Sequence, residues 1–188
     1  MKQARYYWKL AGTLLLLCAI TAGLLGAVHA VTKDRIAENQ RQKAARAMQL
    51  VLPSAQYTDC EIVPYDCVTA RGTSARIDAV TRADDGYVVQ VTLAGSQGDM
   101  TLLVGLREKT TCTGIYVVSQ SETAGLGAVC AQDSAAGAAF RAQFSGLHGA
   151  AALKKDGGHI DALTGATVTS RAVCEAVNAA QLAVQALD

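Results

Sequence analysis

From Leu10 to Val31 the chain reads LAGTLLLLCAITAGLLGAVHAV, apolar throughout and without one Asp, Glu, Lys or Arg. At about 1.5 Å per residue this stretch makes roughly 33 Å of helix, enough for a bilayer core of about 30 Å. Lys2, Arg5 and Lys9 precede it, with Tyr6, Tyr7 and Trp8 placed as interfacial anchors. The positive-inside rule predicts residues 1–9 in the cytoplasm, a transmembrane helix over 10–31 and everything after it outside. Val28-His29-Ala30 has the small residues of a signal-peptidase site. A signal peptide's apolar core spans only about 7–15 residues, so the length favours a retained anchor.

The pattern then changes. Ile36, Ala44, Ala47, Met48 and Val51 recur at helical spacing with charges between them, and Pro53 ends the run. This predicts a linker helix over 32–53. Its basic residues Lys33, Arg35, Arg41, Lys43 and Arg46 form either a solvated face or a contact with membrane lipid. Residues 54–74 show no period and are expected to be irregular. Strand-like runs follow at Arg76–Thr81, Tyr87–Leu93, Met100–Leu106 and Gly114–Val118, with turn residues between them. The alternation in V-V-Q-V-T-L predicts a sheet with one buried face. Residues 131–147 suggest a small-residue helix with Phe140 and Phe144 on one face. Val173, Val177, Ala180, Val184 and Leu187 stripe a final helix of about eighteen residues. The order of elements predicts an α+β domain over 54–188, an antiparallel sheet packed by helices.

A net charge of +1 and only 5% aromatic residues argue against a nucleic-acid surface. Cys18 lies in the apolar span, leaving Cys60, Cys67, Cys112, Cys130 and Cys174 beyond it. No C-x-x-C occurs, so neither haem attachment nor a zinc knuckle is signalled. Cys60–Cys67 and Cys112–Cys130 are candidate disulfides, and five free thiols are the alternative. His29, His148 and His159 are isolated, and no residue is read as a metal ligand.

The chemistry concentrates in residues 161–170, DALTGATVTS, ahead of the final helix. Hydroxyl residues there are good N-caps. A helix N-terminus also has unpaired N–H groups and a positive dipole end, which favour phosphate. Gly165 and Ala166 keep the backbone bare for close approach. Both readings stand on the residues alone. A threonine hydroxyl is not nucleophilic unaided, so esterifying it requires a modifying enzyme.

Asp161-Ala162-Leu163-Thr164-Gly165-Ala166-Thr167 resembles the D-x-x-[ST]-G-A-T signature of covalently flavinylated FMN-binding domains. Ser121-Glu122-Thr123-Ala124-Gly125-Leu126-Gly127 is similar to the E-T-P-G-L-G loop of the G subunits of Rnf electron-transport complexes. The C subunits of sodium-pumping NADH:quinone oxidoreductases are cousins of these. The resemblance covers nearly the whole chain and departs from the pattern at Ala124, where proline is usual.

The resemblance implies FMN joined through its phosphate to Thr167 by a flavin transferase, with Asp161 and Thr164 part of what that enzyme recognises. It places Glu122, Thr123, Gly125, Leu126, Gly127, Thr164, Gly165 and Ala166 around the cofactor. Glu122 is either a carboxylate near the ring, which would disfavour the anionic reduced flavin, or a solvated loop charge. The implied function is an electron-carrier subunit in the cell membrane, with the other membrane subunits of an Rnf-type translocase as partners. That complex couples ferredoxin:NAD electron transfer to Na⁺ or H⁺ movement. The alternatives are a free-standing exported flavoprotein feeding an extracellular reductase, and an anchored non-redox binding module in which the motif is only a helix cap.

Overall fold

The computed structural model describes residues 2–60 and 62–187. Side-chain surroundings are described for all of these except 2–11, 13, 27, 34, 36–41 and 44. The first helix, α1, runs unbroken from Lys2 to Val51. It contains Leu14–Lys33, with a mean hydropathy of 2.3, long and apolar enough to cross a membrane. The side chains of Lys2, Arg5, Tyr6, Tyr7, Trp8 and Lys9, on which the expected orientation rests, lie outside the described residues, as do those of Ile36 and Ala44.

The chain divides into two compact units, 1–43 and 44–188. The end of α1 belongs to the second, ahead of the expected boundary at 54. Ala47, Val51 and Leu52 are buried in one cluster with Ala83, Val88 and Leu103. The sheet satisfies carbonyls that the helix end leaves open. The Thr113 hydroxyl donates to Val51 O at 2.5 Å and the Tyr57 hydroxyl to Leu52 O at 2.7 Å. A Cβ on Gly105 would strike that same Val51 carbonyl, so glycine is required there.

Seven strands follow: β1 (Tyr57–Cys60), β2 (Tyr65–Val68), β3 (Ser74–Ala83), β4 (Gly86–Ala94), β5 (Asp99–Arg107), β6 (Thr111–Ser119) and β7 (Leu147–His148). They form one antiparallel sheet in the order β1-β3-β4-β5-β6-β7, with β2 beside β1 along the outer edge of β3. The four long strands are those the alternation predicts. Val89, Val91 and Leu93 on β4 and Met100, Leu102, Val104 and Leu106 on β5 face the main core. The final helix, α3 (Thr167–Gln185), covers that face and buries Val173, Ala176, Val177, Ala180 and Val184. A shorter helix, α2 (Ala135–Ala142), starts at Ser134, whose side chain caps Gly137 N. The Phe140 and Phe144 rings meet edge to face at 5.5 Å. Arg71, from the β2–β3 turn, lies 3.2 Å from Asp156 and 3.6 Å from Glu175 of α3. The architecture is the expected α+β one.

Residues 57–68 contain strands, not the irregular segment expected. Cys60 sits opposite Val80 and Cys67 opposite Ala75, on one edge of β3. Those partners are five residues apart on β3, so at about 3.3 Å per residue the cysteines are roughly 16 Å apart, beyond the ~7 Å limit for a disulfide. All six cysteines are free.

Candidate functional site

The segment before α3 is folded back on the helix it introduces. Gly165 takes the left-handed conformation, φ +72°. The Ser170 hydroxyl, fully buried, accepts from Leu163 N at 2.9 Å and donates to Ala166 O at 2.9 Å. This hydroxyl ties both ends of the Leu163–Ala166 turn to the first turn of α3. A Cβ on Gly165 would come within 3.0 Å of Leu126 Cδ2, so the turn and the Thr123–Gly127 loop lie in close contact.

These bonds distinguish the four hydroxyls of the motif. Ser170 holds the turn. Thr169, also buried, donates to Glu122 Oε2 at 2.5 Å. Thr164 is exposed. Thr167, half-buried, is the first residue of α3, and its hydroxyl has no hydrogen-bond partner among the described residues. None of them caps the helix. The N-cap position is Ala166, with no side-chain capping bond. The helix-cap reading therefore fails, and the dipole end of a 19-residue helix stays open beside the free Thr167 hydroxyl.

Glu122 is not a solvated loop charge. It is only 9% exposed. Its Oε1 accepts from Ser96 N at 2.6 Å and Gln97 N at 3.2 Å, in the turn joining β4 to β5. Its own N–H donates to Gln120 Oε1 at 2.6 Å. A Cβ on Gly95 would strike Oε1, and one on Gly127 would strike both Oε2 and the Thr169 hydroxyl. Burial, and after it the Glu122 charge, push the neighbouring Cys130 thiol up to about 11. Leu126 N and Ala128 N both donate to Thr123 O, which rounds the loop, and Gly125 has φ +76°.

Between these walls lies a cleft of about 350 Å³, lined by Ser96, Gln97, Glu122, Thr123, Leu126, Gly127 and residues 165–169. A second hollow of about 490 Å³ opens on the other side of Leu126 and is lined by Asp161, Thr164, Gly125, Val129 and Phe140, among others. Every sequence-predicted site residue borders one of the two hollows. Thr167 and Glu122 line the first, Asp161 and Thr164 the second. Asp161 is exposed and pairs with Lys154 Nζ at 2.7 Å. Its backbone is held from both sides by the Gln143 amide, at 2.7 and 3.2 Å.

Sequence reasoning took Thr169 and Ser170 only as candidate caps and missed Ser96, Gln97, Gln143 and Lys154. Of these, Ser96 and Gln97 lie among the turn residues between two strand-like runs, and Gln143 and Lys154 belong to no motif. The residues fit a phosphate-linked flavin: a free hydroxyl, an uncapped helix N-terminus, a bare Gly165 turn and a cleft with Leu126 and Val168 half-exposed at its rim.

Comparison with known proteins agrees with this geometry. The FMN-binding domain family profile matches residues 95–181, and the profile of the RnfG N-terminal region matches 1–51. The chain is 32% identical over 186 residues to the G subunit of the ion-translocating oxidoreductase complex of Methanosarcina acetivorans, covering 96% of this chain and 95% of that one. It is 35% identical over 185 residues to the protein of the same name from Escherichia coli K12, covering 93% and 89%. The corresponding Pseudoalteromonas atlantica protein is 32% identical over 182 residues, covering 91% and 85%. On its cleft, its two matched regions and its full-length relatives, the chain belongs to the RnfG family, the G subunits of ion-translocating oxidoreductase complexes.

Proposed function

We propose that this chain is a membrane-anchored electron carrier with FMN held covalently, through its phosphate, on the Thr167 hydroxyl. The observation that carries the reading is that Thr167 keeps its hydroxyl unpartnered at the open N-terminus of α3 while Thr169 and Ser170 are committed elsewhere. The ester forms between Thr167 Oγ1 and the flavin phosphorus. A phosphate monoester is a poor electrophile, so the donor is a flavin dinucleotide whose nucleotide half leaves as the monophosphate. The flavin transferase takes the hydroxyl proton, and Asp161 and Thr164 border the hollow through which it reads the motif. Bound there, FMN supplies one-electron transfer. The open N–H groups at the start of α3 would receive the phosphate, and Leu126 would offer the ring an apolar surface.

The chain works within an Rnf-type complex that couples electron transfer between ferredoxin and NAD to Na⁺ or H⁺ movement. Its N-terminus is cytoplasmic, α1 crosses the membrane once and the flavin domain faces outward. Relatives named as subunits of ion-translocating complexes support this over a free-standing carrier. Described residues 12 and 14–26 of α1 include no charge that would mark an ion path, so the chain conducts no ion by itself.

The test is in-gel fluorescence. The chain is expressed with a flavin transferase, denatured in SDS and illuminated before staining. A fluorescent band is expected, and Thr167→Val, which keeps the side-chain shape, should lose it entirely. A fluorescent Thr167→Val band, or a dark wild-type band with the transferase active on a control substrate, overturns the reading.

A further inference from the structure

Three separate segments wall the 350 Å³ cleft: the β4–β5 turn, the Glu122–Gly127 loop and the start of α3. The Glu122 side chain joins the other two walls to its own. One carboxylate oxygen takes both N–H groups of the turn, and the other takes the Thr169 hydroxyl. The two glycines against it, Gly95 and Gly127, leave no room for a methyl group, so the carboxylate is packed as well as bonded. Thr169 lies two residues past Thr167 in the same helical turn. Fixing Thr169 fixes the rotation and axial position of that turn, and with it the point and direction from which the Thr167 side chain projects.

We propose that Glu122 is the positioning residue of the attachment site, acting through Thr169 to hold the Thr167 hydroxyl where the flavin phosphate is delivered. This rests on Thr167 as the attachment point. It differs from a flavin contact, because Glu122 spends both oxygens on protein donors. In-line attack at phosphorus tolerates little misplacement of the nucleophile, so loosening the turn acts on the rate of attachment.

The experiment uses the full chain in detergent, a flavin transferase and excess flavin dinucleotide. It reads the initial rate of covalent flavin incorporation, and also amide hydrogen exchange over residues 163–170 of the flavin-free protein. Thr169→Val removes the donor and should slow incorporation roughly tenfold or more. Glu122→Ala removes the acceptor from the loop side, outside any helix or strand, and should slow it by the same factor. The double variant should be no slower than Glu122→Ala alone, which already breaks the bond to Thr169 along with those to the turn. Each variant should speed exchange over 163–170 with far-ultraviolet dichroism unchanged.

Thr169→Ser keeps the bond. In Glu122→Gln the amide oxygen can still accept from the turn while its NH₂ donates to Thr169, so both variants should stay within about threefold of wild type. Wild-type rate and exchange in either folded single variant overturn the proposal. Multiplying effects in the double variant also overturn it, because Glu122 would then act by a route other than Thr169. If one single variant does not fold, the other decides alone. Should wild type take up no flavin while exchange responds as expected, the covalent reading fails and the positioning role fails with it, but the bonded clamp stands.

Discussion

Gly165→Ala separates two costs that meet at the attachment turn. The first is conformational. Gly165 has φ +72°, where an L side chain costs about 1–2 kcal/mol. The second is the contact: the new methyl would lie 3.0 Å from Leu126 Cδ2. Leu126 is 43% exposed, so it can rotate away, at about 0.5–1.5 kcal/mol. Alanine also restricts the unfolded chain, which returns about 0.4–1 kcal/mol. The net loss is about 2 kcal/mol, which for a unit of this size lowers the melting midpoint by about 5 °C.

Gly125 is the internal control. It has φ +76° and a methyl group there would meet nothing within 4 Å, so Gly125→Ala should lose only the conformational part, about 1 kcal/mol. Adding Leu126→Ala to Gly165→Ala should bring its loss, measured against Leu126→Ala alone, down to the Gly125→Ala value. The assay is thermal unfolding of the flavin-free full chain followed by circular dichroism. A Gly165→Ala midpoint equal to wild type would refute the strained turn. A loss that Leu126→Ala leaves unchanged would refute the contact between turn and loop.

Two further outcomes concern the rest of the domain. Burial pushes Cys112 and Cys174 up to about 12 and Cys130 up to about 11, so almost no thiolate forms near pH 8. Mass spectrometry after brief native alkylation should find half-buried Cys60 modified and those three intact, with all reacting in urea; native labelling of Cys112 would contradict the packing around it. Hydrogen bonds from Arg171 hold the Asp156 carboxyl below the ordinary range. Because its folded pKa lies below the unfolded value, its stabilisation is present above about pH 4 and is lost as pH falls through the folded value. Asp156→Asn should therefore narrow the gap between urea midpoints at about pH 6 and about pH 3, and an unchanged gap would reject the assignment.

The long elements were legible in the sequence because each buries a whole face or stripe. Val89, Val91 and Leu93 alternate because one side of β4 meets α3. Val173, Val177 and Val184 recur because one side of α3 meets the sheet. The short edge strands β1 and β2 were not legible. Each has four residues and pairs with β3 alone, so neither needs an apolar face, and Asp59 is accommodated by accepting from Thr81 at 2.9 Å. The helix expected over 131–147 is shorter, Ala135–Ala142, because Ser134 caps its start and the chain before it, Gly127–Ala131, is a separate 3-10 turn. At the site, the motif marks Thr167 by resemblance, but the commitments of Thr169 and Ser170 are tertiary. Glu122 is 47 residues from Thr169, and no local pattern pairs them.

Covalent attachment changes what the protein must build around a cofactor. A flavin held by affinity needs its ring enclosed, because the ring carries most of the apolar area that drives binding. A flavin held by an ester needs only its phosphate end placed. The distribution of structure here is the one the proposed ester calls for. The fully committed, buried groups, Glu122, Thr169 and Ser170, surround the first turn of α3. The apolar groups lining the cleft, Leu126 and Val168, are 43% and 53% exposed. Under the proposed attachment the open side is a requirement, since electrons must reach the ring from a separate subunit, and a half-exposed rim lets that partner approach closely.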